Sequence, residues 1–189
     1  RERPTQCTPG PYPGKLHTPG PYPVLRSRDG HVVVVDQAPE FSKISDVGQQ
    51  EYNQQELAFN ELALLVMDAL SNRSGTLVMM CKVTDVNSRE SALVSSLAPN
   101  PFAKAGEKQF KATGALMKAL YPTVTFKWFM VNLGPSYKGK IQVAINNFGG
   151  RSKYKIMVCD SKFQAQLHKD VDPAQLPLRM GGSLPDKNI

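Results

Sequence analysis

One stretch of the sequence has spacing that fits phosphate chemistry. GPSYKGKI, residues 134–141, reads GxxxxGK between a strand-like and a helix-like run. In such a loop the glycines let backbone N–H groups close around a phosphate, and the lysine adds charge. Two residues break the pattern: Ile141 stands where a Ser or Thr hydroxyl would hold Mg²⁺, and Pro135 deletes a backbone donor. The same residues nearly spell the GxSxG nucleophile elbow, but Lys138 replaces its second glycine. No histidine has an evident catalytic partner. His17 lies in a Pro/Gly-rich segment, His31 at a strand start and His168 on a lysine-rich helix. Cys7, Cys81 and Cys159 form neither a CxxC pair nor an even set, and the last two fall in apolar runs, which suits reduced, buried thiols of an intracellular protein. Ligand spacing for a metal and paired carboxylates are both lacking. These residues point away from an enzyme: no catalytic residue, metal site or cofactor is expected.

YPTVTFKWF, residues 121–129, mixes aromatic and basic residues as a nucleic-acid platform does, with Phe126 and Trp128 as stacking surfaces. In an alternating α/β chain such residues usually sit under helices, so nucleic acid is not the expected partner. The charge is strongly polarised. Residues 101–169 hold twelve Lys/Arg against two acids, whereas residues 29–100 hold four against ten, within a net +7. Such a field suits an anionic surface such as phospholipid headgroups, although lysines solvated on a helix face produce the same count. No apolar run approaches the roughly eighteen residues of a membrane span.

The elements that must position these residues alternate. HVVVVD at 31–36 predicts a strand buried on both faces. Residues 46–71 predict a helix, with Ala58, Leu62, Leu65, Val66, Ala69 and Leu70 at three- and four-residue steps and a stop at 72–75. TLVMMCKV at 76–83 predicts a strand, 101–120 a helix opened by Asn100-Pro101, TFKWFMVNL at 125–133 a strand, 138–147 a weak helix, KYKIMVCD at 153–160 a strand, and a last helix capped by Ser161 runs to about Lys169. This order predicts an α/β fold with a mostly parallel sheet and right-handed crossovers. Residues 1–28 contain TPGPYP twice and predict an extended arm with no core of its own, either a disordered tether or a docking strip laid on a neighbouring protein. A cleaved organellar presequence upstream would account for the basic, non-methionine start.

At the other end, DVDPAQLPLRMGG, residues 170–182, encodes a short turn with a stop. Asp172 is suited to N-cap it, Pro173 to its first position, Pro177 to force Leu176 into extended backbone, and Gly181-Gly182 to angles other residues avoid.

Taken in order, DGHVVVVD (29–36), GTLVMMCKV (75–83), YP (121–122), VNLGP (131–135), GRSKYKIMV (150–158) and DPAQLPLRMGG (172–182) resemble the CRAL-TRIO lipid-binding family over residues 29–186. The resemblance implies a single domain, residues 29–189, with helices on one face of the sheet and a lipid pocket under a gate helix on the other. The terminal turn would fold back against the sheet edge. Such a domain binds or transfers one hydrophobic ligand, such as a phospholipid, phosphoinositide, tocopherol or retinoid, without chemistry. The expected lining is Val78, Met80, Phe129, Val131, Ile141, Ile145 and Phe148, with Lys138 and Lys140 as phosphate contacts at the mouth. The basic half would face an anionic membrane, with the protein peripheral to it in the cytoplasm or mitochondrion. The sequence departs from the pattern in three places. The helical domain usually preceding the first strand is replaced by the Pro-rich arm, the gate region at 136–148 is short and modestly apolar, and Cys81 stands where the family often carries an acid. These departures support an alternative: a structural accessory subunit of a larger assembly that uses a degenerate version of the fold and its arm for docking.

Overall fold

Four consecutive valines, stiff at χ1, favour extended backbone, and β1 (Val32–Gln37) is a strand. The computed structural model describes residues 25–38, 41–86, 101–121, 124–133, 135–146, 150–159 and 162–186; the arm before Leu25, Phe148 and Ser161 lie outside them. After β1 come α1 (Phe41–Asp46), α2 (Gln49–Ser74), β2 (Met80–Asp85), α3 (Pro101–Leu120), β3 (Thr125–Val131), α4 (Pro135–Asn146), β4 (Ile156–Val158) and α5 (Gln164–Asp170). The strands form one sheet in the order β1-β2-β3-β4, and each neighbouring pair is parallel. The expected α/β class and parallel sheet are therefore present.

Several boundaries differ from expectation. Residues 150–155 form a 3-10 helix, so the strand expected at 153–160 is only Ile156–Val158. α4 opens at Pro135, and α5 begins at Gln164 behind Phe163 rather than under a Ser161 cap. Two others differ for clear local reasons. The helix expected at 46–71 runs from Gln49 to Ser74, because Asp46 closes the separate α1 and Gly75, at φ 68°, caps the C-terminus in the left-handed region. β2 starts four residues later than expected. Before it the chain is tied to its neighbours instead: the Ser71 hydroxyl accepts from Val78 N at 2.9 Å, and His31 Nδ1 accepts from Met79 N at 3.2 Å. Thr84 and Asp85, polar enough to read as a strand exit, still pair with Asp36, Gln37, Met130 and Val131.

A sequential parallel order with right-handed crossovers sends every connecting helix to the same side of the sheet. On that side Val32, Val78 and Met80 are buried with Met67 of α2, and Met130 is buried with Ile145 of α4. α1 and α3 form an outer layer through Ile44, Tyr52, Val47 and Phe110. The opposite side carries Val33, Val35, Cys81, Val83, Phe129 and Val131, all buried against Phe163, Leu167, Val171, Leu176 and Met180 of the C-terminal segment. This corrects the expected layout. The helix matched to the gate, α4, shares a face with α2, and the face expected to hold a lipid pocket is tiled by the protein's own chain.

The terminal turn has its expected local structure and, in part, its expected position. The Asp172 carboxylate accepts from Ala174 N at 2.9 Å, Pro173 opens the turn, Leu176 is extended (φ −121°, ψ 147°) and Gly181 is left-handed (φ 75°). It starts beside the β1 edge, where Val171 bridges Ser27 and Gln175 Oε1 accepts from Arg26 N at 3.2 Å, and continues onto the sheet face, where Leu176 and Met180 are fully buried. Leu25–Arg28, grouped with the arm by sequence, also belong to this layer: Val33 N donates to Leu25 O and Arg28 N to Asp170 O, each at 2.8 Å.

Burial pushes the Cys81 thiol up to about 12, with Asp170 adding in the same direction. The thiolate, which is the reactive form, is therefore scarce at neutral pH. Iodoacetamide at pH 8 should leave Cys81 unmodified in the folded protein and alkylate it after guanidinium unfolding. Rapid native labelling at Cys81 in a peptide map would contradict the packing of this face.

Candidate functional site: a polar cluster in the helix-covered face

Apolar rows on the helix-covered face are interrupted at their centre. Along β1, β2 and β3 one row reads Val34, Lys82, Trp128 and the next reads Asp36, Thr84, Met130, as the register pairs them. Two diagonals cross these rows. Lys82 Nζ meets Asp36 Oδ2 at 2.9 Å, and Trp128 Nε1 donates to Thr84 Oγ1 at 2.9 Å. The Lys82 ammonium also stands 5.4 Å from the centre of the Trp128 ring, within cation–π range. Above them α2 contributes Glu56 and Tyr52 from successive turns, with a side-chain hydrogen bond between the two.

The electrostatics follow from this crowding. Burial alone would push Lys82 down, but Asp36 and Glu56 outweigh it and hold the ammonium above its ordinary value. Burial pushes the Glu56 carboxyl above its ordinary 4.5; Lys82 and the Tyr52 hydrogen bond oppose the rise, and Asp36 reinforces it. Asp36 is only 7% exposed, and its second oxygen, Oδ1, is buried with no hydrogen-bond partner among the described residues. The Lys82 side chain nevertheless retains 26% of its exposure. That side chain stands in the middle of a sheet face whose flanks, under α2 and α4, carry apolar packing.

The raised Glu56 value sets a direction with pH. The folded protein holds that proton more tightly than the unfolded chain, so the associated stability is full below 4.5 and is lost as pH climbs through the raised value. Glu56→Gln removes the titration while keeping the shape. The stability of the wild type relative to this variant should fall between pH 4 and pH 8 in urea unfolding; a pH-independent difference would mean that the carboxyl is well solvated.

The residues expected to line a pocket do not come together. Val78 and Met80 lie under α2, Ile145 packs with Met130 and Leu133 under α4, and Phe129 and Val131 are on the opposite face beneath Leu167, Leu176 and Met180. The register explains the split: Phe129 pairs with Val83, one residue out of phase with Met80. Lys138 is half-buried on α4; Lys140 and Ile141 belong to the same helix, their side chains outside the described residues, as is Phe148. Pro135 to Lys140 of the GxxxxGK stretch are already helical, so they form no phosphate cradle. His31 has a structural role: its ring packs on Phe126 with centroids 4.1 Å apart and planes tilted by 49°, and its Nδ1 accepts a backbone bond. The cluster itself was missed, although it left a signal. A lysine inside TLVMMCKV and an aspartate closing VVVVD are charges in buried strands, which are seldom buried unpaired.

At the C-terminal edge of the sheet, Asn132 adopts a left-handed backbone (φ 61°) and donates from Nδ2 to Asp85 Oδ1 at 2.9 Å. Asparagine tolerates that region better than other side chains do. The bond fixes the exit from β3 toward α4. No family model matches the chain, and a search of curated proteins returns no match.

Proposed function

We propose that this domain holds one hydrophobic, amphiphilic ligand without chemistry, its polar end at the Asp36–Lys82–Trp128 cluster and its apolar part between α2 and α4. One observation carries the reading: an ion-paired lysine whose side chain stays partly exposed at the centre of a sheet face with apolar packing on both sides. Concave sites with a few convergent polar groups in an apolar frame are the usual form of small-ligand sites. The order of CRAL-TRIO-like motifs supports the same class of function, now on the helix-covered face. The basic run in residues 101–169 supports approach to an anionic membrane. Among the described residues no helix is long and apolar enough to cross one. Organic extraction of the purified protein followed by mass spectrometry should yield one lipid-like molecule per chain. A clean extract from protein that also fails to take up added amphiphile would end this reading.

A second reading, the structural accessory subunit, is favoured by a separate observation. Leu62 (42% exposed) and Leu65 (68%) face solvent on α2, and Leu120 (52%) does so beside Tyr121, whose hydroxyl bonds Glu61 of α2. An apolar patch of this kind fits an apolar face of another protein. The isolated chain should then self-associate or require a partner; a monodisperse monomer at high concentration in size-exclusion chromatography would count against it.

A further inference from the structure

We infer that the polar end of the ligand is a neutral hydroxyl, not a phosphate and not an ammonium, an assignment that rests on reading the cluster as a head-group site. The open valence here is an acceptor. Asp36 Oδ2 is taken by Lys82 Nζ at 2.9 Å, whereas Oδ1 is buried and without a partner among the described residues. A buried carboxylate oxygen without a donor destabilises the fold, and a donor supplied by a ligand removes that penalty.

The neighbours narrow the donor. A phosphate drawn to Lys82 would meet the Asp36 and Glu56 carboxylates that already hold the ammonium in its charged form. An ammonium placed on Asp36 Oδ1 would stand beside the like charge of Lys82. A hydroxyl avoids both conflicts. It donates its one proton to Asp36 Oδ1, and its lone pairs accept from Lys82, which has three N–H donors and gives one to Asp36 Oδ2. The Trp128 ring, pinned by its bond to Thr84, offers a flat wall for the carbon that bears the hydroxyl.

Trp128 is the only tryptophan of the chain, so its emission reports on this site alone. Three probes with the same eight-carbon chain separate the alternatives: monooctanoylglycerol, octyl phosphate and octylammonium. Monooctanoylglycerol should shift Trp128 emission saturably and bind about tenfold or more tightly than either charged probe, the range for a hydrogen bond to a charged group. Asp36→Asn keeps the shape but releases Lys82, so binding of monooctanoylglycerol should weaken about tenfold and octyl phosphate should become the preferred probe. The ranking on wild-type protein decides the matter even if that variant does not fold. Octyl phosphate or octylammonium binding the wild type as tightly as monooctanoylglycerol would overturn the hydroxyl assignment and leave the amphiphile reading standing. No response to any of the three would overturn both.

Discussion

Gly182→Ala should destabilise the protein by about 3 kcal/mol or more and lower its Tm by about 10 °C. A Cβ at that position would lie 2.0 Å from Leu176 O and 2.4 Å from Leu176 C, both backbone atoms. Neither can move aside on its own. Gly182 N donates to Pro177 O at 3.1 Å, Ser183 N to Pro173 O at 3.0 Å and Leu184 N to Leu176 O at 2.9 Å, so the turn is tied on both sides of the clash. Leu176 and Met180 are fully buried in the core of the sheet, and a shifted turn would withdraw them from it. Gly139→Ala provides the control: it lies within α4, nothing would stand within 4 Å of the added Cβ, and alanine is the better helix former, so stability should hold or rise by up to about 1 kcal/mol. The comparison is read by thermal unfolding. A Gly182→Ala protein melting within a degree or two of wild type would mean that the turn is not seated on the sheet.

The local grammar of that turn was legible in the sequence except at Gly182, which is not left-handed and is required instead by its close approach to the Leu176 backbone. Pro173, Pro177 and Gly181 each act on their own backbone or on the residue beside them, so residue type alone predicts the conformation. The order of strands and helices was legible for a similar reason, since Val32–Val35, Gly75 and the apolar run of β3 signal over short spans. Two things were not legible. α1, with the six residues FSKISD, is too short to show a helical period. The relative phase of the strands was also hidden, because alternation within β2 or β3 does not say which residue of one lies beside which residue of the other. Only the pairing of Val83 with Phe129 places Phe129 away from Met80, and only the pairing of Val34 with Lys82 and of Lys82 with Trp128 brings that charge beside that ring. A site assembled from β1, β2, β3 and α2 cannot be read from any one of them.

Lys82→Met should cost about 3 kcal/mol at neutral pH, the scale for removing one partner from a largely buried ion pair, slightly discounted for the solvent that reaches Lys82. Methionine matches the length of the lysine stem and keeps contact with Trp128, so lost packing is a minor part of the effect. What remains is the Asp36 carboxylate, 7% exposed and now with neither oxygen paired, close to Glu56, whose rise above 4.5 is no longer opposed by an ammonium. Glu56 should climb further in this variant, so the stability lost relative to wild type should shrink as pH falls toward 4 and the cluster takes up protons. Adding Asp36→Leu removes the stranded charge as well. The double variant should therefore recover most of the loss, since apolar replacements of a whole buried pair are often neutral or better. A double-mutant cycle by urea unfolding at pH 7 and pH 4 measures these quantities together. If the single and double variants lost equal stability at both pH values, the Lys82–Asp36 contact would be ordinary surface chemistry, with no desolvated head-group site beneath α2.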